Sequence, residues 1–150
     1  MAQTKAEKRL ERKLKKQSKS LRDVFAQSPI QKPSNDDNDN LVFSFRDLQR
    51  DYDFEQACCD DQVRRDLLSS LRRLSRTTWD DLRTRDKKSG GSELINKSEI
   101  KASLPSFITD DYEKFIVIRF NSQNSRLIGY RQDNIFYILF IDVSLTLYDH

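Results

Sequence analysis

The sequence contains few of the residue types that common enzyme classes depend on. Its 150 residues include two cysteines, one histidine and three glycines. A Walker loop, a GxGxxG segment and an HExxH motif are all missing, and nothing in the sequence indicates a Ser-His-Asp arrangement around the single histidine. These absences argue against nucleotide hydrolysis, zinc proteolysis and triad chemistry.

The two cysteines, Cys58 and Cys59, are adjacent. Neighbouring cysteines seldom satisfy disulfide geometry, and without a CxxC pair a structural zinc site is not expected either. We therefore predict reduced, dispensable thiols in a cytoplasmic protein that uses no metal and no cofactor. No apolar run approaches the ~20 residues that cross a bilayer, and the basic N-terminus has no apolar signal region, so no membrane partner is expected.

Charge is distributed unevenly along the chain. The net charge is +3, but residues 1–23 contain nine Lys/Arg against three Asp/Glu, and the remainder carries a small acidic excess. A basic arm on a mildly acidic body is typical of contact with nucleic acid or an acidic partner. Within this arm, Lys13, Lys15 and Lys16 are candidate RNA-binding residues.

The chain divides into three parts. Residues 1–27 form a basic extension, in which apolar residues spaced by four or seven predict an amphipathic helix over 4–26. Residues 28–40 contain two prolines and an acidic polar run, which is typical of a flexible linker. The folded domain is predicted to span 41–150.

The first half of this domain predicts one strand followed by two helices. Residues 41–45 alternate with Leu41, Phe43 and Phe45 on one face. Asp60 or Asp61 can cap a helix with an apolar stripe at Val63, Leu67, Leu71 and Leu74. Thr77 or Thr78 can cap a second helix that buries Trp79 and Leu82 and ends over residues 83–88, before Ser89, Gly90 and Gly91.

The second half predicts antiparallel strands. Glu93 begins a short strand after the glycines, and runs rich in aromatic and β-branched residues follow at 115–120, 126–131, 135–142 and 145–148. The segments 121–125, 132–134 and 143–144 read as tight turns between them. This order predicts an α+β fold: a first strand, two helices, and then an antiparallel meander sheet.

Arginines in the predicted strands indicate a functional polar face. Arg119 and Arg126 lie on either side of a turn, and Arg131 follows five residues after Arg126, so regular alternation places Arg126 and Arg131 on opposite faces. A bulge at Gly129 would reset the alternation; otherwise only one of the two arginines belongs to a site. We take Arg119 and Arg131 as the better pair and expect Arg126 to contact solvent.

The segment Ser125-Arg-Leu-Ile-Gly-Tyr-Arg131, an aromatic-rich strand and the terminal Tyr148 and His150 together resemble the last strands of the RelE/ParE-like toxins of type II toxin–antitoxin systems. The resemblance covers roughly residues 41–150. It implies a RelE/ParE-like fold, an arginine in the concave face of the sheet, and a Tyr or His of the C-terminus in the active site. The RelE branch cleaves mRNA, so it also implies metal-independent RNA cleavage.

On this interpretation, Arg131 stabilises the charge that develops on the phosphorane, because a guanidinium stays ionised and binds phosphate bidentately. Glu93 is the candidate general base for the 2′-hydroxyl, and Tyr148 or His150 protonates the leaving 5′ oxygen. Each of these residues also has an ordinary structural interpretation: a strand-edge carboxylate for Glu93, core packing for Tyr148, a frayed end for His150 and an ion pair with Asp142 or Glu93 for Arg131.

The resulting hypothesis is a toxin-type endoribonuclease that acts on mRNA, free or bound to the ribosome, with a cognate antitoxin as partner. The alternatives are a non-catalytic binding or regulatory module of the same fold, as in a phage or plasmid protein, and a gyrase-directed toxin of the ParE branch. RNA contacts by Arg126 and the basic arm belong to the first hypothesis.

Overall fold

The computed structural model describes residues 7–15, 36–57 and 60–149. The chain separates into two compact units, Met1–Lys32 and Pro33–His150. In the first unit, residues 7–15 form helix α1, on which Lys13 and Lys15 are exposed and Lys15 Nζ lies 2.7 Å from Glu11 Oε1. The rest of the predicted helix, including Lys16, lies outside the described residues.

The second unit combines helices with one five-stranded mixed sheet, which confirms the predicted α+β class. Its strands follow the order β1-β5-β4-β3-β2, in which β1 runs parallel to β5 and all other neighbours are antiparallel. The elements are β1 (Val42–Ser44), α2 (Phe54–Ala57), α3 (Asp61–Leu74), α4 (Trp79–Thr84), β2 (Ser92–Asn96), β3 (Lys114–Arg119), β4 (Arg126–Gln132) and β5 (Ile135–Asp142).

Helices α3 and α4 begin where the predicted capping residues indicate. The Asp60 carboxylate accepts the N–H groups of Gln62 and Val63, and the Thr78 hydroxyl accepts the N–H of Asp81. These bonds satisfy backbone donors that the first helical turn leaves unpaired. The predicted extension of α4 through residue 88 is wrong: the helix ends at Thr84 because Arg85 is extended, and a separate 3-10 turn follows at Lys87–Ser89.

The folded unit begins before Leu41. Asp39 O accepts the N–H of Trp79, Asp37 O accepts the N–H of Asp80, and Asn40 forms a β-bridge with Thr78. Residues 36–40, which were predicted to be part of the linker, therefore belong to the domain and tie its start to the beginning of α4.

The predicted antiparallel meander is present, but its strands are not all those that were predicted. It consists of β2, β3, β4 and β5, whereas the strand predicted at 145–148 is wrong. Leu145 adopts a positive φ of 60°, and the Asp142 carboxylate accepts the N–H groups of Thr146 and Leu147 at 3.3 and 3.1 Å. These bonds turn the chain back over the sheet immediately after β5, so the segment cannot pair as a strand.

Apolar residues cover both faces of the sheet. One face packs against the helices. Leu67 and Leu74 of the predicted α3 stripe and Trp79 of α4 belong to the core on this side. The other face lies under residues of the segments 100–112 and 147–148. The two faces are called here the helix face and the open-segment face. No helix among the described residues is long and apolar enough to cross a membrane.

Candidate functional site

Three charged residues predicted for the site share the open-segment face. In the β3–β4 pair, Arg119 lies directly opposite Arg126, and in the β2–β3 pair Glu93 lies opposite Val117. Since side chains alternate along a strand, Val117 and Arg119 point to the same face, and Glu93 and Arg126 join them. The sheet thus brings together three residues that are separated by up to 33 positions.

Glu93 is the centre of this cluster. The Tyr148 hydroxyl donates to Glu93 Oε1 at 3.0 Å, Lys87 Nζ donates to Oε2 at 2.8 Å, and Arg119 Nη2 lies 3.6 Å from Oε1. The side chains of Glu93 and Arg119 are each 19% exposed, so the carboxylate is largely enclosed but still reaches the surface. We call Glu93, Arg119, Arg126 and Tyr148 the Glu93 cluster.

Arg126 lies beneath Tyr148. It is only 3% exposed, and its guanidinium carbon lies 4.8 Å from the centre of the Tyr148 ring, a distance typical of a cation–π interaction. The expectation that Arg126 contacts solvent is therefore wrong. Its strand neighbour across β5 is Asp142, which is fully buried and holds the turn that delivers Tyr148. Arg126 and Asp142 thus support the position of Tyr148 over the sheet.

The environment sets the protonation states of the cluster. Burial raises the pKa of Glu93, but hydrogen bonds from Lys87 and Tyr148 and the charges of Lys87 and Arg119 outweigh it, so the pKa lies below its usual value. Burial raises the pKa of Tyr148 to about 12, with the Arg126 charge opposing the rise and Glu93 reinforcing it. At neutral pH Glu93 is therefore an ionised proton acceptor and Tyr148 a fixed hydrogen-bond donor.

Arg131 lies on the helix face, so the predicted pairing of Arg119 with Arg131 is wrong. Its Nη1 lies 2.5 Å from Asp37 Oδ1, its Nε donates to Asp133 O at 2.6 Å, and its guanidinium carbon lies 4.4 Å from the Trp79 ring centre. The bulge does occur beside Gly129, but its extra residue, Leu139, is in β5. Alternation in β4 is therefore unbroken, and only Arg126 joins the cluster.

A basic cleft of ≈ 670 Å³ adjoins the Glu93 cluster. Three separate segments form it: the end of α3, residues 85–90 and the β3–β4 turn. Its basic lining residues are Arg73, Arg85, Lys87, Lys88 and Arg119, and its lining includes no acidic residue. Arg73 and Lys87 were not among the predicted site residues; the only sequence signal for the cleft was the basic run 83–88, a few residues before Glu93.

Three residues considered in the sequence cannot be placed relative to this site. His150, Cys58 and Cys59 lie outside the described residues. Within the described part of the chain, no three His, Cys, Asp or Glu side chains form a group that could hold a metal ion. The Glu93 cluster consists of one carboxylate, one phenol and two guanidinium groups, and Lys87 adds an ammonium group.

Comparisons with protein families, curated proteins and solved structures found no match to this chain. The functional interpretation therefore rests on the chemistry of the cluster and on the short segment of resemblance.

Proposed function

We propose that this chain is a toxin-type, metal-independent endoribonuclease of a toxin–antitoxin system, with a RelE/ParE-like fold, that cleaves mRNA. The observation that carries the proposal is the ionised Glu93 carboxylate held between Tyr148, Lys87 and Arg119 beside a basic cleft. The order of strand, helices and antiparallel strands supports the fold assignment, as does the segment 125–131. A cognate antitoxin is the proposed partner, and the cytoplasm, where mRNA is translated, is the proposed place of action.

In this mechanism Glu93 removes the proton from a ribose 2′-hydroxyl, and the 2′ oxygen attacks the adjacent phosphorus. The bond from phosphorus to the 5′ oxygen then breaks, and that oxygen takes a proton from a general acid. The products are a 2′,3′-cyclic phosphate and a 5′-hydroxyl end. General acid–base catalysis of this kind contributes about 10²–10⁴-fold in rate.

Arg119 is the group best placed to stabilise the charge on the phosphorane. Its Nη2 faces Glu93 while its Nη1 lies 3.4 Å from Asn124 Oδ1 in the cleft, so the guanidinium spans the boundary between the two. A phosphate bound beside Glu93 would meet this fork of donors. Tyr148, protonated at neutral pH, orients Glu93, and His150 remains the candidate acid because its ordinary pKa is near neutrality.

The test of the function uses the full chain with naked RNA and, separately, with a translating extract. We expect fragments with 2′,3′-cyclic phosphate and 5′-hydroxyl ends, formed on naked RNA with or without EDTA, and no cleavage where the attacking nucleotide is 2′-deoxy. If cleavage appears only in the extract, it depends on the ribosome. Absence of cleavage in both assays would favour the non-catalytic binding module, and inhibition of gyrase without RNA cleavage would favour the ParE branch.

The pH dependence of cleavage should respond to Lys87. A base acts only when ionised, so activity is present above the Glu93 pKa and is lost as pH falls through it. Lys87→Met removes a hydrogen bond and a charge that lower this pKa, while burial continues to raise it. We expect the acidic limb of kcat/KM to move to higher pH. Lys114→Met removes an exposed positive charge elsewhere in the sheet and should leave the limb in place; equal limbs in both variants would contradict the role of Glu93.

A further inference from the structure

The basic cleft contains more positive charge than its surroundings neutralise. Lys87 and Arg119 pair with Glu93, and Arg85 lies 3.9 Å from Asp81. Arg73 and Lys88 form no ion pair with any residue that the structure describes. Several like charges facing one cleft without acids repel each other, and an anionic ligand would relieve this repulsion.

The Arg73 side chain lies close to the backbone of the 85–90 segment. Gly90 has a φ of +87°, and a Cβ atom at this position would lie 3.1 Å from Arg73 Nη1. The glycine therefore lets the guanidinium of α3 lie close against the 85–90 segment. Across the cleft, Asn121 and Asn124 of the β3–β4 turn add neutral polar groups. Cations with neutral polar groups suit the phosphates of a nucleic acid better than a carboxylate-rich or apolar ligand.

The cleft is continuous with the Glu93 cluster, because Arg119 belongs to both and Lys87 lines the cleft while it pairs with Glu93. Next to it, a pocket of ≈ 350 Å³ shares Ser70, Phe120, Asn121 and Ser122 with the cleft and leads away from Glu93 toward Gln62 and one acidic residue, Asp66. A ligand that fills this path would extend along the surface for more than one nucleotide. Resting on the proposed function, we infer that the cleft binds the phosphodiester backbone of a single RNA strand on one side of the cleaved bond, through Arg73 and Lys88.

The experiment measures binding without cleavage. A fluorescent 2′-O-methyl oligouridylate of six nucleotides lacks the attacking hydroxyl, and backbone contacts do not depend on its bases. We compare the wild-type chain, Arg73→Gln/Lys88→Gln, and the control Arg72→Gln/Arg76→Gln. The control removes the same charge from the end of α3 and the turn after it, but neither residue lines the cleft. Thermal melting of each variant checks that the fold is retained.

We expect the cleft variant to bind roughly tenfold more weakly, a loss of about 1.4 kcal/mol in total, because two cationic side chains that contact phosphates are replaced by neutral ones. The slope of log K against log salt should fall by about 1.4, since each single-strand phosphate contact contributes about 0.7. The control variant should keep a slope close to that of the wild type. Equal losses of affinity in the two double variants would overturn the inference, because they would reflect overall charge alone.

A second measurement separates this inference from the proposed function. On a cleavable hexanucleotide, the cleft variant should show a raised KM with kcat near the wild-type value, and on a dinucleotide the two proteins should differ little. If the wild type cleaves and the cleft variant has an unchanged KM, the inference fails while the function stands. If no protein cleaves but the cleft variant alone binds weakly, the function fails and the cleft remains a nucleic-acid site.

Discussion

Glu93→Gln should reduce RNA cleavage by roughly 10²–10⁴-fold, because an amide oxygen cannot accept the 2′-hydroxyl proton at neutral pH. Glutamine keeps the size of the side chain and can still accept the hydrogen bond from the Tyr148 hydroxyl, so the fold should be retained. Affinity for a 2′-O-methyl oligonucleotide should stay the same or rise, since one negative charge beside the cleft is lost. Single-turnover cleavage and anisotropy binding measure the two quantities separately.

The matched control is Arg131→Ala. Arg131 lies on the opposite face of the sheet, where it contacts Asp37 and the Trp79 ring. Its removal should lower the melting temperature and leave the cleavage rate of the folded protein near that of the wild type. Loss of cleavage in a folded Arg131→Ala protein, together with normal cleavage by Glu93→Gln, would show that the active centre is on the helix face and not in the Glu93 cluster.

The residue chemistry of the site was accessible from the sequence, but its arrangement was not. Glu93 was identified because a carboxylate follows the glycines, and Tyr148 because the resemblance to the toxins implies a Tyr or His of the C-terminus in the site. The face of the sheet on which each arginine side chain lies depends on which of the two strands, β4 or β5, carries the bulge. That is decided by pairing between β4 and β5, since Leu139 is the extra residue, and no local pattern in β4 reports it.

Tertiary contacts also overrode two local patterns. Residues 145–148 alternate like a strand, but the buried Asp142 carboxylate binds their backbone N–H groups and turns the chain. The helical pattern through residue 88 ends early because Asp86 caps a separate turn through its bond to the Lys88 N–H. In both cases a short polar side chain competes with regular structure for backbone hydrogen bonds. Beyond the basic run at 83–88, the cleft could not be predicted, because it needs three distant segments to meet.

Gly129→Ala should have the largest effect on stability, because the glycine of the Gly-Tyr-Arg segment lies against β5. A Cβ atom at this position would lie 1.9 Å from Tyr137 O and 3.1 Å from Ile138 Cα, so the strands would have to separate at the bulge. We expect a loss of about 2–4 kcal/mol in the free energy of unfolding, and a melting temperature roughly 10 °C lower. Denaturant titration and thermal melting measure both.

The control for this change is Leu94→Ala, which truncates a strand residue that is 62% exposed and should cost much less. Below its melting temperature, the folded Gly129→Ala protein should retain the affinity and cleavage rate of the wild type, because Gly129 and the Arg131 side chain lie on the helix face, away from Glu93. An unchanged melting temperature would contradict the close approach of β4 and β5. Loss of cleavage in a fully folded variant would instead place the Gly-Tyr-Arg segment in the active centre, as the resemblance to the toxins implies.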